Sequence, residues 1–410
     1  MRKAVVFTLG CKVNECESDS LITGLKERGY EVSDKLEKAD LYIVNTCAVT
    51  LEAEKKSRQT ASRIKKLNPD AKIIFTGCAC QNNSKSFVEK SQNALVTGVF
   101  NKTKILSMLD DIGEKLSEES KEFEELLPVS VLRTRGYIKV QDGCNNFCSY
   151  CIIPYLRGRS RSRNPESILQ EINSIGSYEV IINGINLSSY NFDGCDFAEL
   201  IGKLSSVKKR IRLGSLEVRV IDDRLLENLK NLYDFAPHFH LSLQSGSNQV
   251  LKSMNRKYTR EEFIEKVNLI RKYFPNAGIT TDIIAGFPTE TERNFLDTLD
   301  LISKVKFSDI HAFCFSARKG TVAYKMKDLS PEIKKDRLNR LLEKKEECKK
   351  DFIEKNIGKE LEFIPEEQKD GYTVGYSGNY LRIYVKGIIK GEKIKVKVIS
   401  PYGDGALAQI

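Results

Sequence analysis

Tryptophan is absent from the 410-residue sequence, and histidine occurs only three times, as His238, His240 and His311. So few imidazoles leave little material for a histidine-based zinc site, and any metal has to be held chiefly by sulfur. No apolar run approaches the roughly 20 residues that a membrane-spanning helix needs. The start, Met1-Arg2-Lys3, is basic, but the apolar stretch after it is too short for a secretory signal and no small-residue cleavage site follows. The expectation is a cytoplasmic chain without membrane contact. In that compartment eleven cysteines are better candidates for ligation or catalysis than for disulfides. A strong charge bias is missing too: Lys and Arg number 66 against 56 Asp and Glu, a net charge of +10. That excess is compatible with a polyanionic partner without requiring one.

The length suffices for two or three domains, each with its own core. Residues 1–125 read as an α/β domain: short apolar runs at 3–9, 39–45 and 71–76 are separated by helical stretches at 17–28 and 51–67. This alternation implies βαβ units and a parallel sheet. Residues 114–125 are charged, have little to bury, and read as a linker, helical in part. A second segment, opening near Val131 and taken as 130–350, repeats strand and helix six times. Strands are expected at 136–141, 179–183, 211–216, 238–243, 279–285 and 309–315. Such a (β/α)6 arrangement is an incomplete barrel, short of the usual eight units. Over residues 354–410 the helical period is lost. Alternating stretches at 380–385 and 393–399 predict a small all-β barrel of the oligonucleotide-binding kind.

Cys144-Asn-Asn-Phe-Cys148-Ser-Tyr-Cys151 follows the first barrel strand, where a βα loop opens onto the catalytic face. Three thiolates can ligate three irons of a cubane [4Fe–4S] cluster and leave the fourth without a protein ligand. An open position distinguishes a catalytic metal site from a sealed structural one. The amino and carboxylate groups of S-adenosylmethionine (SAM) can chelate that iron, and reductive homolysis then yields a 5′-deoxyadenosyl radical. The alternative is a three-cysteine zinc site completed by a distant ligand, although zinc ribbons pair CxxC with CxxC and no partner pair follows. Polar groups and glycines at the ends of other barrel strands, namely Asn183, Gly184, Asn186, Glu217, Ser242, Gln244 and the stretch from Asp282 to Gly286, are candidates to hold SAM. Each alone also suits a turn. The spacing CxxxCxxC, with Tyr150 before the last cysteine, resembles the radical-SAM superfamily signature and adds Tyr150 to the cofactor-binding candidates.

Cys11, Cys47 and Cys78 each fall between a strand and a helix, in Thr-Leu-Gly-Cys11, Val-Asn-Thr-Cys47 and Phe-Thr-Gly-Cys78. Ligands of open α/β sheets bind outside the carboxyl ends of the strands, so three cysteines in equivalent slots can converge on one edge. Free cysteines are often buried small hydrophobes, which is the competing reading. Cys80 is a rival to Cys78; Cys16 lies out of the slot, and Cys195, Cys314 and Cys348 read as packing. Two trios, one making a radical and one able to hold a sulfur species, point to replacement of C–H by C–S.

The matching stretches are Leu9-Gly-Cys11-Lys-Val-Asn14, Asn45-Thr-Cys47-Ala-Val49, Thr76-Gly-Cys78-Ala-Cys80-Gln81, Gln141-Asp-Gly-Cys144, Ile152-Ile-Pro154, Leu243-Gln-Ser-Gly246 and Ala285-Gly-Phe-Pro288. On them the chain resembles the methylthiotransferase family along nearly its full length. In that family a cysteine-rich domain precedes a radical-SAM barrel and a small RNA-binding barrel called TRAM. The resemblance implies two [4Fe–4S] clusters and two SAM molecules per turnover. One SAM gives its methyl to sulfur on the N-terminal cluster; the other yields the radical that removes hydrogen from C2 of an adenine. Gly-Cys-Lys-Val-Asn with Gln-Asp-Gly-Cys-Asn-Asn looks most like the branch acting on N6-threonylcarbamoyladenosine of the tRNA anticodon stem-loop. It further implies an electron donor such as flavodoxin or ferredoxin and a monomeric enzyme. Isopentenyladenosine tRNA, a ribosomal-protein side chain, and a non-catalytic RNA-binding protein with structural clusters are the alternatives.

Arg157, Arg159, Arg161 and Arg163 alternate just after the central cysteines, where they could neutralise phosphates; a solvated loop or local ion pairs would explain them as well. In the last segment Tyr372, Tyr376, Tyr380 and Tyr384 stand among Arg382, Lys386, Lys390, Lys393, Lys395 and Lys397. Aromatics that stack bases, interleaved with cations, suit RNA with exposed loop bases, although some of these tyrosines must fill the barrel.

Overall fold

The computed structural model describes residues 2–90, 93–127 and 134–410; the expected opening of the second segment near Val131 lies outside them. In the first third, six strands run parallel in the spatial order Glu31–Ser33, Lys3–Thr8, Leu41–Thr46, Lys72–Gly77, Ala94–Thr97 and Gly113–Lys115. The central strands are almost wholly apolar because helices cover both faces. Val6, Ile43 and Ile74 pack with Leu21 and Leu25 of the helix Lys12–Glu27, while Val5, Val44 and Phe75 pack with Ala61 and Ile64 of the helix Leu51–Leu67. The first helix starts five residues before the expected 17, with Cys11 at its N-cap. The three remaining strands, Glu31–Ser33, Ala94–Thr97 and Gly113–Lys115, have no sequence forecast, being too short to show a period. The charged linker is corrected as well. It contains no helix; Gly113–Lys115 adds the edge strand, and later carboxylates are tied down, Glu124 by the amide of Thr103 at 3.0 Å and Glu119 by the amide of Arg159 at 2.9 Å.

The middle of the chain forms an incomplete barrel from two parallel sheets. One holds Arg135–Asp142, Glu179–Gly184 and Arg210–Leu213; the other holds Ser215–Leu216, His238–Leu241, Gly278–Ala285 and Asp309–Cys314. The continuous third strand expected at 211–216 is broken at Gly214. Its first part pairs with Glu179 to Ile182 and its last two residues with His240 and Leu241, so one segment joins both sheets. Gly214 allows this join: a Cβ there would stand 2.9 Å from Asn183 Oδ1 and 3.1 Å from Ile182 O. Helices outside the strands bury Ile168, Leu200, Leu226, Phe263 and Phe295 against Ile138, Val180, Ile211 and Ile279 in one core.

The strands Glu360–Lys369, Tyr372–Ser377, Arg382–Lys386, Ile394–Tyr402 and Gly405–Gln409 close into a small barrel around Phe363, Ile383, Val396 and Val398. Its third strand begins at Arg382 rather than Tyr380, because Tyr380 has a left-handed backbone with φ of 70°. That turn docks on the larger barrel: Arg212 Nη2 donates to Ser377 O and Nη1 to Gly378 O, both at 3.1 Å.

Candidate active site

Three neighbouring strands of the N-terminal sheet end side by side and deliver Cys11, Cys47 and Cys78 to the turns that follow. Backbone ties made by the surrounding motif residues fix these turns. Asn14 Nδ2 donates to Leu9 O at 2.8 Å and to Thr46 O at 3.1 Å, joining the first two turns, and Asn45 Nδ2 donates back to Asn14 O at 3.0 Å. Thr46 Oγ1 donates to Thr76 O at 2.6 Å, joining the second turn to the third. Gly10 brings the loops into contact, since a Cβ there would meet Cys47 Cβ at 2.9 Å and Sγ at 3.0 Å. Burial raises the thiols of both Cys11 and Cys47, and the neighbouring Cys78 adds to it in each case. Cys80 Sγ lies 3.4 Å from Thr46 Oγ1, and Cys16 Sγ lies 3.9 Å from Asn183 Nδ2.

The alternating arginines are not a phosphate track. Arg157 is fully buried; Nη1 donates to Glu17 Oε1 at 2.8 Å and Asp142 Oδ1 at 3.1 Å, Nη2 to Asn14 Oδ1 at 2.9 Å, and Nε to Cys78 Sγ at 3.3 Å. Arg161 donates to the carbonyls of Arg157 and Arg159, and Arg163 pairs with Glu125 and Glu171. Of the four only Arg159 is exposed, its guanidinium 4.6 Å from the Phe147 ring centre. Burial pushes the Glu17 carboxyl up, but Arg157, Lys102 and Lys139 outweigh it and hold it well below the usual range.

The second cysteine loop is held by the ends of two short helices, Ile153–Arg157 and Asn248–Ser253. Cys144 N donates to Gly158 O at 3.1 Å, Ser149 N to Met254 O at 3.0 Å, and Asn255 Nδ2 to the carbonyls of Asn146 and Phe147 at 3.1 and 3.0 Å. Its sulfurs receive donors as well: Asn146 N at 3.5 Å and Asn186 Nδ2 at 3.8 Å on Cys144, and Arg256 Nη1 at 3.4 Å on Cys148. Donors aimed at sulfur are what an anionic iron–sulfur cluster needs around it.

Cys11 of the first trio and all three cysteines of the second open onto one cavity of about 660 Å³, lined also by Lys12 and by Tyr380 of the C-terminal barrel. Tyr150, Gly184, Asn186, Glu217, Ser242, Gln244 and Asp282 all stand on its wall. Cys47 and Cys78 are buried beside Cys11, off that wall. Gln244 has a left-handed backbone, φ 70°, and its buried Oε1 has no partner among the described residues.

Scarcity hid the histidines, yet all three line this cavity. Thr280 Oγ1 is 2.9 Å from both His238 Nε2 and His240 Nδ1, His240 Nε2 is 3.1 Å from Asp282 Oδ2, and His311 meets His240 edge-on at 5.6 Å. The signal that could have found them is the strand period of two, which puts His238 and His240 on one face. Arg256 was also missed, as it lies in no motif.

Among the described residues no three or more His, Cys, Asp or Glu side chains are grouped to hold a single metal ion. A cubane asks for something different, one thiolate at each of three corners. Burial pushes the Cys47 and Cys151 thiols up to about 12, so loading with iron releases protons.

Comparison with known proteins decides the family. Residues 138–302 match the model of the radical SAM superfamily, and residues 3–98 match that of the uncharacterized protein family UPF0004. A threonylcarbamoyladenosine tRNA methylthiotransferase, MtaB, of Bacillus subtilis (strain 168) is 37% identical, with 100% of this chain and 97% of that one covered. The chain belongs to the radical-SAM tRNA methylthiotransferase family. Its counterpart in Thermotoga maritima is 38% identical, with 100% and 97% covered. A tRNA-2-methylthio-N(6)-dimethylallyladenosine synthase of Thermoanaerobacter sp. is 38% identical over 82% of this chain and 76% of its own. Among solved structures, the radical SAM methyltransferase TsrM from Kitasatospora setae has a TM-score of 0.55 at 16% identity, covering 76% of this chain and 75% of that one. At that identity the likeness is one of fold. Membership of this family carries SAM and [4Fe–4S] clusters with it, and the two sulfur trios with their N–H donors fit such clusters. No helix is long and apolar enough to cross a membrane among the described residues.

Proposed function

We propose that this chain replaces the C2 hydrogen of N6-threonylcarbamoyladenosine, on the 3′ side of the tRNA anticodon, with a methylthio group. The observation that carries the proposal is the shared cavity: Cys11 and the loop of Cys144, Cys148 and Cys151 open onto the same space, and hydrogen removal and sulfur delivery have to reach the same carbon. Cys144, Cys148 and Cys151 would hold one cluster, and Cys11, Cys47 and Cys78 the other. With SAM, these groups supply the radical that takes the hydrogen and the methylthio group that replaces it. Tyr150, Gly184, Asn186, Glu217, Ser242, Gln244 and Asp282 would hold SAM, and the unpartnered Gln244 Oε1 suits one of its amino groups.

In this reading residues 1–125 carry the sulfur site, 130–350 the radical site and 354–410 a TRAM-like RNA contact. Lys393 is tied to Asp234 and Glu362, and Arg382 to Glu367 and Asp404. Phosphate contact therefore falls to the exposed Lys386, Lys390, Lys395 and Lys397. The partners are a tRNA anticodon stem-loop and a low-potential donor such as flavodoxin or ferredoxin, met by a monomer in the cytoplasm. Full-length relatives named for threonylcarbamoyladenosine, at 37% and 38% identity, favour this nucleoside over dimethylallyladenosine. Nucleoside mass spectrometry of tRNA from a deletion strain tests it. The methylthio group should vanish from threonylcarbamoyladenosine and return on complementation; its persistence there, with loss elsewhere, overturns the substrate.

A further inference from the structure

We propose that Lys12 is the specificity residue that receives the free carboxylate of the threonylcarbamoyl group. The inference rests on the nucleoside assigned above and deepens it from nucleoside to side chain. Two full cations line the cavity, Arg256 and Lys12. Arg256 is committed: it donates to Cys148 Sγ at 3.4 Å, Ser242 O at 2.9 Å and Tyr258 Oη at 3.1 Å. The ammonium of Lys12, the first residue of its helix, forms no hydrogen bond or ion pair among the described residues.

Two like charges, Arg212 and Arg135, act on the Lys12 ammonium more strongly than Glu179 does. Glu179 is already shared by those arginines, at 2.7 Å from Arg212 Nε and 3.2 Å from Arg135 Nε. The carboxylates of the cavity wall are engaged too, Asp282 with His240 at 3.1 Å and Glu217 with Asn146 and Arg219, each at 2.5 Å. An ammonium on the wall of a recessed chamber whose carboxylates are already engaged is unfavourable until an anion comes with the ligand.

The candidate nucleosides differ at this point. A threonylcarbamoyl substituent ends in a carboxylate, whereas a dimethylallyl substituent is hydrocarbon throughout. Lys12 is a compact charge on a flexible stem, able to follow such a carboxylate. SAM also carries a carboxylate, so the deciding experiment varies that group on the RNA alone.

Cluster-loaded protein without reductant is titrated with three anticodon stem-loops bearing threonylcarbamoyladenosine, its carboxamide, or dimethylallyladenosine. Wild type should bind the acid about tenfold or more tightly than the carboxamide, the usual worth of one charge-assisted contact. Lys12→Gln should bring the two to equal affinity, and Lys12→Arg should keep most of the preference. Iron content of about eight atoms per chain identifies loaded samples, and Lys12→Met takes the place of Lys12→Gln if the latter does not load. Equal binding of acid and amide by wild type, or a wild-type ratio in the neutral variants, overturns the role of Lys12 and leaves the nucleoside assignment standing. Preference of wild type for the dimethylallyl loop overturns that assignment itself.

Discussion

Arg157 Nε donates to Cys78 Sγ at 3.3 Å across 79 positions of sequence, so the stretch that follows Cys144, Cys148 and Cys151 reaches into the N-terminal cysteine trio. The rest of the guanidinium binds Glu17, Asp142 and Asn14. One side chain thus links both cysteine sites, and it does so inside a buried knot in which Lys102 and Lys139 also face Glu17 at 3.3 and 3.1 Å.

Removing one member of a buried charge network is costly because it strands its partners, typically by about 3–5 kcal/mol. Arg157→Met should therefore lower the unfolding free energy of the metal-free chain by about 3 kcal/mol, with Lys102 and Lys139 sparing Glu17 from complete isolation. Urea denaturation measures this. A midpoint equal to wild type would mean that Arg157 does not hold the N-terminal sheet to the barrel.

The two trios should be separable. Cys148→Ala removes a ligand of the proposed radical site, so 5′-deoxyadenosine should cease to form under anaerobic reduction with SAM. Cys47→Ala should leave its release intact and stop methylthio insertion. Each variant should hold about four irons instead of about eight. Equal loss of 5′-deoxyadenosine in both would overturn the division of labour.

Cysteines after apolar strand runs were legible, because strand ends in α/β sheets share an edge whatever their distance in sequence. What spacing cannot show is the partner across a domain junction. Arg157, Arg161 and Arg163 alternate as a strand does, and alternation says only which side chains share a face; their carboxylates come from residues 17, 119, 125, 142 and 171. Similarly, Ile211, Leu213 and Leu216 stay apolar on both sides of Gly214, so nothing in the pattern marks the transfer between sheets. Tyr380 reads as one more aromatic of the last barrel, yet its turn carries it to the central cavity.

His238 should make stability depend on pH. Burial, reinforced by the positive charge of Arg212, holds its imidazole well below the ordinary value. In the unfolded chain it titrates near ~6.5, so below that pH the unfolded state binds the extra proton and acid favours unfolding. The contribution is complete above about 6.5 and is lost progressively below it. Burial of His311 acts in the same direction. Urea curves from about pH 7 to about pH 5 should show wild type losing stability faster than His238→Gln. Parallel slopes would show that His238 takes up its proton as readily folded as unfolded.

Tyr380 allows a test in which the usual order of two substitutions reverses. Its ring lies between His238, at 4.3 Å and 11°, and Tyr376, at 4.6 Å and 18°, with the Arg212 guanidinium 5.1 Å from its centre. Its backbone is left-handed, which costs a residue with a Cβ about 1–2 kcal/mol. Tyr380→Ala loses the ring and keeps that strain; Tyr380→Gly loses the ring and relieves it. Elsewhere glycine is the less stable of the pair by about 0.5–1 kcal/mol, but here it should be the more stable by about 1 kcal/mol, with both variants below wild type. Thermal or urea unfolding of the three proteins decides the order. Alanine above glycine would mean that the stack, and not the docked turn, imposes the conformation, since losing the ring would then have freed the backbone to relax.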